Sequence, residues 1–160
     1  MIRRLALLLL LAACHDEPSR GGQKQAPPKA PATKGPDRVT YDHILIAFKG
    51  SYQRIESFRS QEEARRLAYS ILDRLRSGAD FEVLKQEYSD DRDPNSGVAL
   101  GPYVALNDGA KRKRIDELRR HTYHPLMAHV IFNLKVHEVK MADWHAKDCP
   151  LGWHIVKRLE

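Results

Sequence analysis

Two histidines lie inside segments whose composition predicts largely buried β-strands. His43 lies in YDHILIAF and His154 lies in GWHIVKRL, and both segments are rich in the aliphatic and aromatic side chains that strands favour. A buried polar group without a hydrogen-bond partner costs about 1–3 kcal/mol, so each imidazole needs a polar neighbour. Two interpretations stay open at this point. Either the rings are satisfied members of the core, or they shape a functional site.

The remaining histidines do not predict a metal centre. Five of them lie in the C-terminal half: His121, His124, His129, His137 and His145. The spacings of three and five between the first three fit no single helical face, whereas a zinc site needs three or four converging ligands. The two cysteines, Cys14 and Cys149, form no closely spaced pair for zinc or redox exchange. We therefore predict no metal site.

The elements that must position the histidines begin with a strand, a long helix and a short helix. The long helix opens with a capping box, Ser60 with Glu63, and ends near Gly78. Its apolar positions repeat at helical spacing: Ala64, Leu67, Ala68, Ile71, Leu72 and Leu75. Asp80 is placed to cap the second helix, which begins at the next residue.

Shorter elements follow in the second half. SDDRDPNSG is a turn-rich loop, and VALGPYVAL predicts a strand in which Gly101 and Pro102 indicate a bend or an edge position. LMAHVIFNL predicts another short helix, and its candidate inward positions are Leu126, Val130, Ile131 and Leu134. Strands over residues 139–142 and 153–159 close the chain. Because helices and strands mix without regular alternation, we predict an α+β fold.

The N-terminus carries the pattern of a bacterial lipoprotein signal. MIRR is a basic start, LALLLLLAA is an apolar core well short of the roughly 20 residues that span a bilayer, and LAAC is typical of a lipobox. We expect a signal peptide over residues 1–13 and a lipid anchor on Cys14 that holds the chain to an envelope membrane, facing the periplasm. His15 follows the cysteine where inner-membrane lipoproteins often carry aspartate, which favours the outer membrane. An ordinary signal peptide with an incidental cysteine is the alternative.

Residues 14–37 predict a tether, because they are rich in proline, alanine and lysine and nearly free of large apolar side chains. The folded domain is expected over residues 38–160. The chain has a formal net charge of +6, and KRKR with Arg119 and Arg120 concentrates positive charge in one segment. Such a cluster suggests nucleic acid in a cytosolic protein. Behind a signal peptide it favours a solvated face or contact with anionic lipid or acidic clients, so we expect no nucleic-acid partner.

Five segments, in this order, resemble the successive blocks of parvulin-type peptidyl-prolyl isomerases: DHILI, SGADFEVLKQEYSDD, GVALG, IFNLKVHEV and LGWHIVKRLE. The resemblance runs from about Val39 to Glu160 and implies a four-stranded antiparallel sheet surrounded by helices. It also implies that His43 and His154 lie side by side on central strands and satisfy one another's polar atoms. The chain departs from the family pattern in a basic insertion over residues 107–124, expected to be partly helical, and in the lack of the usual paired-glycine and aspartate pattern before LG.

The same resemblance assigns the site residues. Asp91 falls where the family places a cysteine or aspartate facing the amide, and it joins His43 and His154 as a candidate catalytic residue. Cys149 matches a position beside the histidines that often holds a small hydroxyl residue. The candidate proline-pocket residues are Leu100, Tyr123, Met127 and Phe132. We expect a hollow bounded by Leu100 and Phe132.

The implied chemistry needs no cofactor. Amide resonance gives the peptide bond a rotation barrier of about 18–20 kcal/mol, and a pocket that binds the twisted amide more tightly than the planar one lowers this barrier. The implied substrates are proline-containing unfolded or extended polypeptides of the cell envelope. Two alternatives stay open: a parvulin-like chaperone or peptide-binding module without catalysis, and an assembly scaffold at the envelope.

Overall fold

The computed structural model describes residues 35–51 and 57–160. The signal peptide, the lipidation site Cys14 and most of the expected tether lie outside the described residues. The elements, in chain order, are β1 (Arg38–Ile46), α1 (Gln61–Arg76), α2 (Phe81–Tyr88), β2 (Tyr103–Leu106), β3 (Leu118–Arg119), a 3-10 turn (Arg120–Thr122), α3 (Pro125–Asn133), β4 (Val139–Ala142) and β5 (Trp153–Arg158). None of the helices in these ranges is long and apolar enough to cross a membrane.

The strands form one mixed sheet in the order β3-β2-β1-β5-β4. The four strands β2, β1, β5 and β4 pair antiparallel, and helices cover both faces, so the predicted α+β fold is confirmed. The two-residue strand β3 adds a fifth, parallel strand beside β2. This edge strand comes from the insertion, which the sequence reading did not expect to join the sheet.

Each face of the sheet has its own core because alternate side chains of β1 point in opposite directions. Ile44 and Ile46 pack with Trp153 and Ile155 of β5 against α1 and α2. Val39, Tyr41 and Val156 instead pack in a second cluster with α3. His43 shares the α3 side, since it follows Tyr41 by two positions.

Helix α1 begins as predicted. The Ser60 hydroxyl accepts a hydrogen bond from the Glu63 backbone N–H, and the Glu63 carboxylate accepts one from the Ser60 N–H at 2.7 Å. The buried side chains of this helix are Ala64, Ala68, Ile71 and Leu72. The Asp80 carboxylate likewise accepts from the Val83 N–H at the start of α2. These caps fix both helices on the face opposite the histidines.

Helix α3 differs from its prediction at one inward position. Ile131 and Leu134 are buried and Val130 is partly buried, but Leu126 is exposed. Leu126 lies in the first turn, where its backbone N–H donates to the Asp148 carbonyl, so that turn presents Leu126 to solvent. Met127 takes the inward place beside it.

The insertion is mostly turn. Its only helical part among the described residues is the single 3-10 turn Arg120–Thr122, followed by the N-terminus of α3. The prediction of a partly helical segment therefore holds only for these three residues. The reason is that Glu117 is buried and β3 is held extended against β2, which leaves few residues of the insertion free to form a helix.

Candidate active site

The two strand histidines meet on the α3 face of the sheet. His43 of β1 lies opposite Val156, and His154 of β5 lies opposite Leu45, so the two residues are diagonal neighbours on adjacent strands. Their ring centroids are 5.1 Å apart with the ring planes at 67°. The sheet register alone thus places the two imidazoles in contact.

The histidines do not satisfy one another's nitrogens, contrary to the expectation from the family resemblance. The Nδ1 atoms of His43 and His154 are both buried and have no hydrogen-bond partner among the described residues. The physical reason is the diagonal register, which packs one ring edge against the face of the other instead of aligning two nitrogens.

Asp91 organises the polar side of the site. Its Oδ2 atom accepts a hydrogen bond from the Tyr103 hydroxyl at 2.6 Å and lies 2.9 Å from His43 Nε2. Burial by itself would raise the pKa of Asp91, but the hydrogen bonds from His43 and Tyr103 outweigh burial and hold that pKa below its usual value. An ionised carboxylate only accepts hydrogen bonds, so the His43 Nε2 atom carries the proton that it shares with Asp91. Burial, and then the bond to Asp91, raises the pKa of Tyr103, which stays a neutral donor.

His154 is a neutral ring at physiological pH. Its pKa is lowered to about 3: burial is the main cause, His43 and His124 act in the same direction, and the Asp91 carboxylate opposes them. The site therefore offers an uncharged imidazole beside an ionised carboxylate.

A cavity of about 280 Å³ opens above these groups. Its lining residues are Tyr41, His43, Asp91, Tyr103, Leu118, Thr122, Tyr123, His124, Met127, Cys149, Leu151 and His154. The sheet supplies the polar floor, while the insertion, the start of α3 and the segment before β5 supply the walls.

The structure brings six of the eight predicted site residues to this cavity. Three of the six are the catalytic candidates His43, Asp91 and His154. The other three are the pocket candidates Tyr123 and Met127 and the neighbouring Cys149. Their roles remain predictions, but all six line the same cavity.

Leu100 and Phe132 do not line the cavity, so the expectation of a hollow bounded by these two residues is wrong. Leu100 is 39% exposed, in the turn that leads to Gly101. Phe132 is 3% exposed in the core, with the Arg120 guanidinium 4.8 Å from its ring centroid. Leu118 and Leu151 are the aliphatic wall residues in their place.

Cys149 is held as a protonated thiol. Its Sγ atom donates to the Gly152 carbonyl at 3.6 Å, and burial raises its pKa to about 11. Gly152 has φ of 144°, and a Cβ there would overlap the carbonyl oxygen of Ile46, so only glycine lets this segment approach β1. A thiol in this state is a poor nucleophile.

Sequence reasoning missed several lining residues: Tyr41, Tyr103, Leu118, Thr122, His124 and Leu151. A signal for the first two was present. Tyr41 precedes His43 by two positions, which puts both on one strand face, and Tyr103 is its partner on β2, with ring centroids 5.7 Å apart. No pattern in the sequence indicates that Leu118 reaches the cavity, because its placement depends on β3 pairing with β2.

A buried ion pair lies behind the site, on the other face of β1. Lys85 Nζ is 2.6 Å from Asp42 Oδ2, and Asp42 Oδ1 accepts the backbone N–H of His43 at 2.8 Å. A side chain at Gly101 would overlap the Asp42 carboxylate. The pair thus fixes the strand backbone directly under His43.

The arrangement suits binding without covalent chemistry. The thiol is protonated, and the Asp91 carboxylate is occupied by two hydrogen-bond donors. What remains is a partly apolar hollow with oriented polar groups at its base.

Comparisons with known proteins show which family model and which solved structures the chain is similar to. A family model described as the PPIC-type PPIASE domain matches residues 29–160. Among solved structures, the peptidyl-prolyl isomerase ESS1 from Candida albicans aligns with a TM-score of 0.52 and 22% sequence identity, covering 78% of this chain and 63% of that one. The solution structure of TbPIN1 aligns with a TM-score of 0.49 and 21% identity, covering 78% of this chain and 98% of that one. The chain therefore spans less than two thirds of the Candida albicans protein, and at 22% identity the likeness to that protein bears on the fold alone. No curated protein matches the chain.

Proposed function

Because the chain belongs to the family of PPIC-type peptidyl-prolyl isomerase domains, the parvulins, we propose that it catalyses the cis–trans isomerisation of X–Pro bonds in extended or unfolded polypeptides. The observation that carries the proposal is the cavity of about 280 Å³ that joins His43, His154 and Asp91 to the apolar side chains of Leu118, Met127 and Leu151. A prolyl ring is small and apolar, and the amide that it carries is polar. The cavity offers both kinds of surface side by side.

The mechanism is preferential binding of the twisted amide. As the X–Pro bond rotates, resonance is lost, the carbonyl becomes ketone-like and the nitrogen becomes pyramidal. An apolar wall that holds the ring while the preceding carbonyl swings lowers the barrier, provided that the twisted form gains more from the site than the planar form does. Met127 and Tyr123 act as the ring-holding wall in this proposal.

The polar groups act by position and charge. Asp91, ionised and bonded to His43 and Tyr103, keeps these two side chains in fixed orientations. The neutral His154 packs against His43 and removes water from the floor of the site. Fixed dipoles in a site that excludes water discriminate between the planar and twisted amide more strongly than they would in water.

The direct test is an exchange-NMR measurement of cis–trans rates in a proline peptide with the full-length chain. Uncatalysed exchange takes tens to hundreds of seconds, so catalysis appears as line broadening or exchange peaks that depend on enzyme concentration. If the peptide exchanges no faster in the presence of the folded chain than in its absence, the proposal is wrong.

A second candidate function is a peptide-binding module or chaperone without catalysis. The observation that favours it is the insertion, which supplies Leu118, Thr122, Tyr123 and His124 to the lining of the cavity in which an amide would have to rotate. The same peptide titration separates the two functions. Chemical-shift changes that saturate without faster exchange would select the binding module.

The proposed setting is the bacterial cell envelope, with the chain anchored through lipid on Cys14 and facing the periplasm. This part rests on the LAAC pattern and the apolar start of the sequence. Mass spectrometry of the chain expressed in a Gram-negative host should show an acylated N-terminal cysteine, and Cys14→Ser should release the domain from the membrane fraction. An unmodified cysteine would remove the anchor from the proposal. Clients in that compartment would be secreted or envelope proteins whose folding waits on proline.

A further inference from the structure

The insertion over residues 107–124 forms part of the cavity instead of standing apart from it. Leu118 and Thr122 line the cavity together with Tyr123 and His124. A third of the lining thus comes from a segment that departs from the family pattern. The selectivity of the site must depend on what this segment presents.

A buried carboxylate holds the insertion in place. Glu117 is fully buried, and its side chain accepts hydrogen bonds from the Arg38 guanidinium and from the Lys113 backbone N–H, the latter at 2.7 Å. Its backbone carbonyl accepts two hydrogen bonds from the Arg112 guanidinium, at 2.7 and 3.1 Å. Three donors from two parts of the chain therefore fix the residue that immediately precedes Leu118.

The strand register directs Leu118 toward the cavity. Leu118 pairs with Ala105 of β2, and Tyr103 lies two positions before Ala105 on the same face. The Leu118 side chain is nevertheless 43% exposed. A ligand in the cavity can therefore cover apolar surface of Leu118 that is now exposed to water.

The charges of the insertion are largely committed elsewhere. Arg114 pairs with Asp116, and Arg119 donates to the Ala110 carbonyl. His121 pairs with Asp108, 2.6 Å away. These contacts lie within the insertion itself, so its basic composition argues less for an acidic ligand than the position of Leu118 argues for an apolar one.

We infer that Leu118 is a specificity-determining residue and that the site prefers polypeptides with an apolar side chain flanking the proline. The inference rests on the proposed function, because it takes the prolyl ring to occupy the cavity. The ring then fills the space over His43 and Met127, and the neighbouring side chain lies against Leu118. Glu117 is the positioning residue that keeps this contact in place.

The test compares matched peptides with the full-length chain and two variants. The peptides carry leucine, alanine or glutamate directly before proline, and a second series carries them directly after it. Leu118→Ala removes the proposed contact. Ile115→Ala is the control, since Ile115 belongs to the same insertion, is 91% exposed and does not line the cavity.

The wild-type chain should turn over the leucine peptide of one series with a kcat/KM about tenfold above that of its alanine counterpart, the lower end of the range for a change in apolar contact, because the contact with Leu118 is only partly buried. Leu118→Ala should abolish this preference, so that the leucine and alanine peptides are turned over with equal kcat/KM, and Ile115→Ala should keep it. The series that shows the preference identifies which side of the proline meets Leu118. A preference for glutamate, or a leucine preference that survives Leu118→Ala, would overturn the inference.

Failure of the isomerase function gives a different result. If the wild-type chain accelerates no peptide, the proposed catalysis is wrong, and the inference is decided by the Kd values of the same peptides from chemical-shift titration. A leucine preference in Kd that is lost only in Leu118→Ala would support it for a binding module. Equal Kd values for leucine and alanine peptides would overturn it.

Discussion

Asp42 and His43 are neighbours on β1, yet they occupy opposite kinds of environment. Asp42 faces α2, where it is 1% exposed and bonded to Lys85, which is 3% exposed. His43 faces the cavity and meets Asp91, whose side chain keeps about a quarter of its surface exposed. Each face of the strand thus carries an acidic group with a basic partner, but only one face is open.

The difference teaches how one strand serves both stability and chemistry. On the closed face, the ion pair has no access to a ligand and acts on the fold. On the open face, the polar groups are bonded to one another but border a hollow, where a ligand can reach them. Four predictions test this division, beginning with the largest expected effect.

Lys85→Met should lower the free energy of unfolding by about 3–5 kcal/mol, because it leaves the Asp42 carboxylate buried without its cation. Urea denaturation measures this change. The double variant Asp42→Asn with Lys85→Met should recover most of the loss, since both buried charges are then gone. A loss below about 1 kcal/mol in the single variant would show that the closed face tolerates an unpaired charge and would break the comparison.

On the open face, His154 should make the free energy of unfolding depend on pH. Its folded-state pKa of about 3 lies below the unfolded value near 6.5, so the unfolded chain binds the proton first and stability falls as the pH drops from about 6.5 toward 3. From this residue alone we expect a loss of about 2–3 kcal/mol between pH 7 and pH 4.5.

The measurement is urea denaturation at those two pH values for the wild-type chain and for His154→Phe, which keeps a ring but cannot titrate. Asp91 does not confound it. Its lowered pKa gives stability that is present above about pH 3.9 and is lost only below that value. An equal pH dependence in both chains would mean that His154 is not a buried neutral ring.

Asp91→Ala should lower kcat/KM for a proline peptide about 10–100-fold, equivalent to losing one hydrogen bond to a charged group. The reason is that His43 and Tyr103 lose the acceptor that orients them. The free energy of unfolding should change far less than in Lys85→Met, because the site is partly open to water. Asp91→Asn keeps the shape of the side chain and one acceptor oxygen, so its kcat/KM should lie between those of the wild-type chain and Asp91→Ala. Full activity in Asp91→Ala would remove this carboxylate from the mechanism.

Cys149→Ser should have the smallest effect, with kcat/KM within about twofold of the wild-type value, since a hydroxyl can also donate to the Gly152 carbonyl. The same peptide assay measures it. A loss as large as that of Asp91→Ala would give the thiol a direct role that its raised pKa argues against.

Much of the fold was predictable because its signals are local. The capping box at Ser60, the cap at Asp80 and the α+β class follow from short patterns, and the structure bears them out. The adjacent positions of His43 and His154 on neighbouring strands followed from the family resemblance, and the structure shows them. The fifth strand did not, because a two-residue strand has no periodicity to read.

The site was only partly predictable, since its walls depend on tertiary contacts. Met127 and Tyr123 were expected at the cavity and lie there, but Phe132 is turned into the core, five residues further along α3. Leu118 could not be foreseen, because Glu117 and Arg38, distant in sequence, decide where it lies. The buried Asp42–Lys85 pair was missed for the same reason, as its partners come from β1 and α2.

The bond between Arg38 and Glu117 also bears on how the domain can be shortened or fused. Arg38 opens β1, and just before it the Asp37 carbonyl accepts from the Asn107 N–H at 2.8 Å. The start of the domain is therefore hydrogen-bonded to the same insertion that forms one wall of the cavity. A truncation at residue 38, or a bulky fusion joined there, would disturb this wall of the cavity before it disturbed the helices. An expression boundary at or before residue 35 leaves the bonds of Asp37 and Arg38 to the insertion intact.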